Sequence, residues 1–261
     1  MELRKKARGK TRPFWVLPAQ LALLVLILGG VEIAVSRNYI NRIFLASPTQ
    51  IVDELLYILG ENILWEHLSI SLQEFFVGYL LAAAAGCAIG VLFVVFPRLE
   101  MFLNPYVAAV MAVPKIAIMP LLLIWFGIGF TSKIVLVFLF CVFTILFNTI
   151  TGAKETPAGF LKVAGIFKAT RTQTVFKVLL PAALPGIFAG LRITAGTALT
   201  GVLFAEMQVS KKGLGYLLVE SQAVLNTPRI FLVIILITIL AVLFVGIVNM
   251  SERLICHRWK A

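Results

Sequence analysis

FFVGYLLAAAAGCAIGVLFVVF, residues Phe75–Phe96, is the stretch that decides the fold. It is unbroken, apolar and free of charge, and a helix needs about 20 such residues to cross the hydrocarbon core of a bilayer. Apolar residues run on instead of alternating, so the reading is a helix and not a barrel strand. Working outward, five more stretches read the same way: Phe14–Val35, Asn104–Phe126 (interrupted by Pro114 and Pro120), Ile134–Ile150, Ala182–Phe204 and Ile230–Val248. Composition agrees. The 261 residues are 61% hydrophobic and 13% charged, where a soluble domain carries about 25% charged residues. Mean hydropathy is +1.01. The expected fold is all-α, a polytopic membrane helix bundle of about six transmembrane helices.

Lys and Arg set the expected orientation. With the N-terminus inside, 16 of the 23 basic residues fall on inside segments and six on outside ones. The inside set is Arg4, Lys5, Lys6, Arg8, Lys10, Arg12, Arg98, Lys154, Lys162, Lys168, Arg171, Lys177, Arg192, Arg253, Arg258 and Lys260. The outside set is Arg37, Arg42, Lys133, Lys211, Lys212 and Arg229; Lys115 lies within a span. The net charge of +11 then reads as an insertion signal and not as a nucleic-acid footprint. The expected organisation is a basic tail over 1–13, a first helix over 14–35, an external segment over 36–74, a five-helix core over 75–250 and a second tail over 251–261. A basic start followed by an apolar run ending at Ala34-Val35-Ser36 also fits a cleavable signal peptide, although the run is longer than the usual 7–15 residues.

Catalytic patterns are missing. Gly9-Lys10-Thr11 lacks the glycine that a phosphate-binding loop needs five residues earlier, where Arg4 stands. The two histidines, His67 and His257, are far apart in sequence, so neither a zinc pair nor a catalytic triad is supported. Cys87, Cys141 and Cys256 read as small apolar residues. The chain is not expected to be an enzyme, and no cofactor or metal is expected in it.

One connection is too long to be a simple turn. Thr151–Pro181 is basic and faces the inside. Thr156-Pro157 reads as a helix start, with Phe160, Leu161, Ala164 and Phe167 as a helical stripe. A second short helix from Thr170 or Thr172 would carry Val175, Val178 and Leu179 and end before Pro181. Such helices either rest on the protein's own end or on headgroups, or they dock a soluble partner.

Within it, KVAGIFKATRTQTVFKVLLPAALP (Lys162–Pro185) resembles the cytoplasmic loop of ABC importer permeases, with the pattern E-A-A, three residues, G, nine residues, I-x-L-P. Lys162 stands at the pattern's Glu, Val163 and Ala164 at its alanines, Lys168 at its Gly, Val178 at its Ile, with Leu180 and Pro181 closing it. VPKIAIMPLLLIWFGIGFTSKI (Val113–Ile134), LPAALPGIFAGLRITAGTALTGVLFAEM (Leu180–Met207), GLGYLL from Gly213 and SPTQIVDEL (Ser47–Leu55) are similar to blocks of permeases for nitrate, sulfonate, taurine and bicarbonate. The family includes importers of thiamine-precursor pyrimidines.

The resemblance implies the membrane subunit of an importer for a small solute, an organic or inorganic anion such as sulfonate, taurine or nitrate. It implies a cytoplasmic ATPase dimer that binds ATP and Mg, a second permease copy or paralogue, and a periplasmic solute-binding protein. It implies a bacterial inner membrane, in which the charge tally leads us to expect both termini on the cytoplasmic side. It assigns ATPase docking to Phe160, Leu161, Lys162, Val163, Ala164, Gly165, Phe167, Lys168 and Arg171, with Leu180 and Pro181 completing the pattern. Lys at 162 reverses the pattern's charge, and Lys at 168 lacks the freedom of Gly to take positive φ.

Inside the spans, Lys115 beside Pro114 is costly in lipid and is a candidate for lining the translocation path or for reaching carbonyls freed by the proline. Glu206 is a second path candidate, with capping of local backbone or contact with an external partner as alternatives. Arg192 is expected to snorkel or pair internally. Ala82, Gly86 and Gly90, and likewise Gly186 and Gly190, recur at four-residue spacing, so they mark helix-packing seams within or between chains. Gly127 and Gly129 read as a turn. A stand-alone secondary transporter or channel is the competing function. It would need intramembrane carboxylates, of which Glu32, Glu74 and Glu206 are the few present, and no inverted repeat is evident. A membrane scaffold without transport is a third reading.

Overall fold

The computed structural model describes residues 15–256, apart from the side chain of Leu17. The N-terminal basic tail with Phe14, and His257, Arg258 and Lys260, lie outside the described residues. The described chain runs α1 (Val16–Ser36), α2 (Pro48–Gly60), α3 (Ile63–Val95), α4 (Pro97–Ala112), a 3₁₀ turn (Lys115–Ile118), α5 (Met119–Phe126), α6 (Phe130–Lys154), α7 (Ala158–Ile166), α8 (Arg171–Thr174), a π turn (Val175–Leu179), α9 (Leu180–Val209), α10 (Leu214–Ala223) and α11 (Thr227–Cys256). Among the described residues, five helices are long and apolar enough to cross a membrane, or six if the bent α4–α5 pair forms one span.

Helix α6 is the centre of the bundle. Of its most apolar stretch 44% is buried, against 6% for α1. Both expected glycine seams close on it, within the chain. On one side, a methyl at Gly86 would lie 2.8 Å from Val142 O and one at Gly90 2.7 Å from Thr149 Cβ. On the other, a methyl at Gly186 would lie 2.7 Å from Gly152 Cα and one at Gly190 2.8 Å from Asn148 Cβ. Without β-carbons at these positions the backbones approach closely, which drives helix association in lipid. Ala82 sits deeper in the α3 face, fully buried with Phe75, Val142, Ala198 and Phe244.

Several expected boundaries move, each for a local reason. The second span starts at Ile63, not Phe75, so the segment 36–74 holds all of α2 and the first turns of α3. Glu66, His67 and Glu74 lower the hydropathy of those turns, but His67 and Glu74 are buried against polar partners. Helix α2 has the capping box that Ser47 and Gln50 form, with Pro48 in its first turn.

The α4–α5 pair, at the place of the expected third span, begins at Pro97 and breaks once. Val113 is extended before Pro114, as a residue preceding proline prefers, and the two arms meet at 84°. Pro120 does not break the helix: it lies in the first turn of α5, where its missing N–H has no intrahelical partner to lose. Gly127, at φ 75°, ends α5, and Gly129 caps α6.

Thr156 does not cap α7. Its hydroxyl donates to Ala153 O at the end of α6, and Pro157 occupies the N-cap position. Nor does a separate second loop helix end before Pro181. Arg171–Val209 is one continuous 39-residue run. Proline removes one helical bond and presses on the carbonyl four residues earlier; the wider π turn over Val175–Leu179 gives the slack that lets the helix pass through Pro181 unbroken.

Candidate functional site

Two places bear on function, at opposite ends of the bundle. The first is α7 with the foot of α9. Only Ala164 of α7 is buried. Phe160, Leu161 and Val163 are exposed, while Ile166 and Phe167 are 78% and 80% exposed. Apart from Ala164, the expected stripe is therefore not laid against the described part of the chain.

Phe160, Val163, Ala164, Phe167, Lys177 and Pro181 line a groove of about 620 Å³ between α7 and the foot of α9. Leu180 turns away from it, into a small cluster with Ala153, Ala183 and Ile187. Lys162, Gly165, Lys168 and Arg171 are exposed and do not line the groove.

Helix α7 is closed at its C-terminal end. Lys168 N–H donates to Gly165 O and Ala169 N–H donates to Ala164 O, both at 3.0 Å, which is the paired closure of a Schellman motif. Lys168 has φ 50°, the left-handed conformation at the position where the resembling pattern has glycine. Thr170 then starts α8 with a capping box: Gln173 N–H donates to Thr170 Oγ1 at 3.3 Å, and Thr170 N–H donates to Gln173 Oε1 at 2.9 Å.

The second place is the opposite end, and it separates the path candidates. Lys115 is half-buried at the α4–α5 break, beside exposed Pro114. Its Nζ donates to Met111 O at 3.4 Å and lies 6.0 Å from the centre of the Phe140 ring. Glu206 is not with them. It is 1% exposed; its Oε1 accepts from Ser71 Oγ at 2.6 Å and its Oε2 from Gly215 N–H at 2.7 Å.

Around it, Leu214 N–H donates to Ser71 Oγ at 2.8 Å, and Gly213 N–H donates to His67 Nδ1 at 3.0 Å. Gly213 has φ 117°, and the Glu206 carboxylate fills the space a β-carbon would need there. Lys133, counted as an outside residue in the charge tally, is buried; it pairs with Glu74 and donates to Ser210 Oγ at 3.1 Å. Sequence reasoning singled out Glu206 as a path candidate, named Glu74 only among the intramembrane carboxylates, and missed this assembly. Opposite charges near the same-side ends of three spans were the signal that could have revealed it. Arg192 pairs with Glu252 of α11.

Comparison with known proteins fits this architecture. The family model described as the binding-protein-dependent transport system inner membrane component matches residues 76–258. The putative aliphatic sulfonates transport permease protein SsuC of Bacillus subtilis is 31% identical over 98% of this chain and 92% of its own. The taurine transport system permease protein TauC of Escherichia coli is 32% identical over 82% of this chain and 80% of its own. The riboflavin transport system permease protein RibX of Chloroflexus aurantiacus is 30% identical over 98% and 95%. Among solved structures, an inward-facing form of the MetNI methionine ABC transporter matches in fold with a TM-score of 0.63, at 24% identity, over 77% of this chain and 98% of that one. The chain belongs to the binding-protein-dependent transport system inner membrane components, and it is a multi-pass inner-membrane permease subunit of the ABC importer type.

Proposed function

We propose that this permease works with a cytoplasmic ATPase dimer, which binds ATP and Mg, with a second permease copy or paralogue, and with a periplasmic binding protein that delivers a small anion. The observation that carries the reading is the open apolar face of α7, with Phe160, Ile166 and Phe167 exposed on a helix locked at its end by a Schellman turn. An exposed, preorganised apolar helix face fits insertion into a partner's groove. The Lys and Arg tally supports a cytoplasmic position for this end and for both termini.

An anion is favoured because Lys115 places an ammonium at the bent break, where freed backbone also lines a cavity in transport proteins. Sulfonates and taurine are the leading candidates by similarity to the SsuC and TauC permeases.

The test is reconstitution with the ATPase and binding protein from the same operon in proteoliposomes. Uptake of labelled sulfonate or taurine should require ATP, and the double variant Phe160→Asp, Phe167→Asp should abolish it while membrane insertion is kept. Lys115→Met should cut uptake at unchanged expression; unchanged uptake would remove Lys115 from the path. Uptake by the chain alone, without ATPase, would replace the importer reading with a stand-alone transporter.

A further inference from the structure

At the end of the bundle away from α7, charge does not balance. Glu74 and Glu206 are 0% and 1% exposed and Lys133 is 6% exposed. Glu74 stands one turn along α3 from Ser71, whose hydroxyl donates to Glu206, so the two carboxyl groups lie side by side, and Lys133, paired with Glu74 and reaching Ser210, is the one ammonium buried with them. Other ionisable groups on the surrounding elements are already committed. His67 of α3 is tied to Gly213 and stacks on Tyr216 of α10. Lys212 of the α9–α10 turn pairs with Glu66 at the surface. Two buried anions against one cation leave a net negative charge out of water, which a protein avoids by binding a proton.

The hydrogen bonds say where the proton sits. Both oxygens of Glu206 already accept, from Ser71 Oγ and from Gly215 N–H, so Glu206 is the carboxylate. Glu74 is different. Neither of its oxygens has a hydrogen-bond partner among the described residues; Oε1 is in ion-pair contact with the Lys133 ammonium, and Oε2 has no polar contact of either kind. A proton on Glu74 Oε2 gives that orphan a role, because it then donates to the neighbouring Glu206.

We propose that Glu74 and Glu206 form a proton-binding site: a carboxylic acid on Glu74, bridged between the Lys133 ammonium and the Glu206 carboxylate, that holds α3, α6, α9 and α10 together at this end. Bound, the proton leaves one anion and one cation joined through a neutral acid. Lost, it leaves two carboxylates in contact without water, and the α9–α10 turn is pushed away from α3.

Neutral glutamine separates the two carboxyls. Glu74→Gln keeps the protonated pattern, with its carbonyl accepting from Lys133 and its amide N–H donating to Glu206. Glu206→Gln sets an amide donor against Ser71 Oγ–H or Gly215 N–H. The experiment uses the purified full chain in detergent and reads two things. Infrared spectra at neutral pH should contain a protonated-carboxyl stretch that Glu74→Gln removes. Thermal stability of the native chain should fall as pH rises from 5 to 8, since removing the shared proton sets two buried carboxylates against each other in the folded state alone. Glu74→Gln should fold and lose much of that slope, while Glu206→Gln should lower the folded yield severalfold. A Glu74→Gln spectrum identical to that of the native chain overturns the proposal. So does equal damage from both glutamines, since that outcome requires both carboxylates to be ionised. The outcome is independent of whether the chain couples to an ATPase.

Discussion

Lys168 adopts φ 50°, and this conformation sets a measurable penalty. A residue with a β-carbon is disfavoured in the left-handed helical region by about 1–2 kcal/mol. Lys168→Gly removes that penalty, but glycine also frees the unfolded chain, which offsets about 0.4–1 kcal/mol of the gain. The net expectation is stabilisation of the Schellman turn by about 0.5–1 kcal/mol, which at tenfold per 1.4 kcal/mol corresponds to about two- to fivefold. The turn opens locally, so a local probe is the right one. Hydrogen exchange at the Ala169 amide, which donates to Ala164 O at 3.0 Å, should slow by that factor after correction for intrinsic rates. Lys168→Ala is the control. It loses the same side-chain charge and keeps the β-carbon, so it should show no such gain. Equal protection in the glycine and alanine variants would refute the backbone argument and leave the lysine side chain as the cause of any change.

Three further predictions concern packing and capping. Gly186→Val should cost at least about 1–3 kcal/mol, seen as lost monodisperse protein by size exclusion, because the first added carbon meets Gly152 Cα at 2.7 Å. Gly165→Ala, with nothing within 4 Å of the new methyl, should be neutral or stabilising by up to about 1 kcal/mol. Thr170→Ala removes the hydroxyl that accepts from Gln173 N–H and should destabilise the start of α8 by about 0.5–2 kcal/mol, read as faster exchange at that amide.

The spans were legible because lipid imposes length and apolarity on every crossing segment, and a run such as Phe75–Phe96 meets both conditions without help from neighbours. Their ends were less legible where charge enters the helix. Glu66, His67 and Glu74 read as the approach to a span, yet they form its first turns because distant residues (Gly213, Lys133 and Lys212) answer them. Proline misled in two ways. Pro120 was read as a breaker and sits harmlessly in a first turn, while Pro181 was read as a stop and is passed by a π turn. Both outcomes depend on the few residues around each ring, which periodicity does not weigh. The candidate site divides similarly. The face of α7 follows from a local pattern, whereas the Glu74–Lys133–Glu206 assembly joins residues up to 132 positions apart in sequence.

The unbroken run from Arg171 to Val209 links these two places. It starts one short turn after α7, across the Lys168 closure and the Thr170 capping box, and its last turns carry Glu206. A helix of 39 residues at about 1.5 Å per residue spans nearly 60 Å, longer than the bilayer is thick. Its near half is pinned to α6 by glycines that leave no room for sliding, since Gly186 and Gly190 meet Gly152 and Asn148 directly. A displacement of α7 therefore has two routes: rotation of α9 together with α6, or bending at the π turn, where the helical bonding is weakest. Rotation as a unit would reach the Glu206 cluster; bending would be absorbed before it. The same π turn that lets the helix pass Pro181 thus decides whether movement at one end of the bundle is felt at the other.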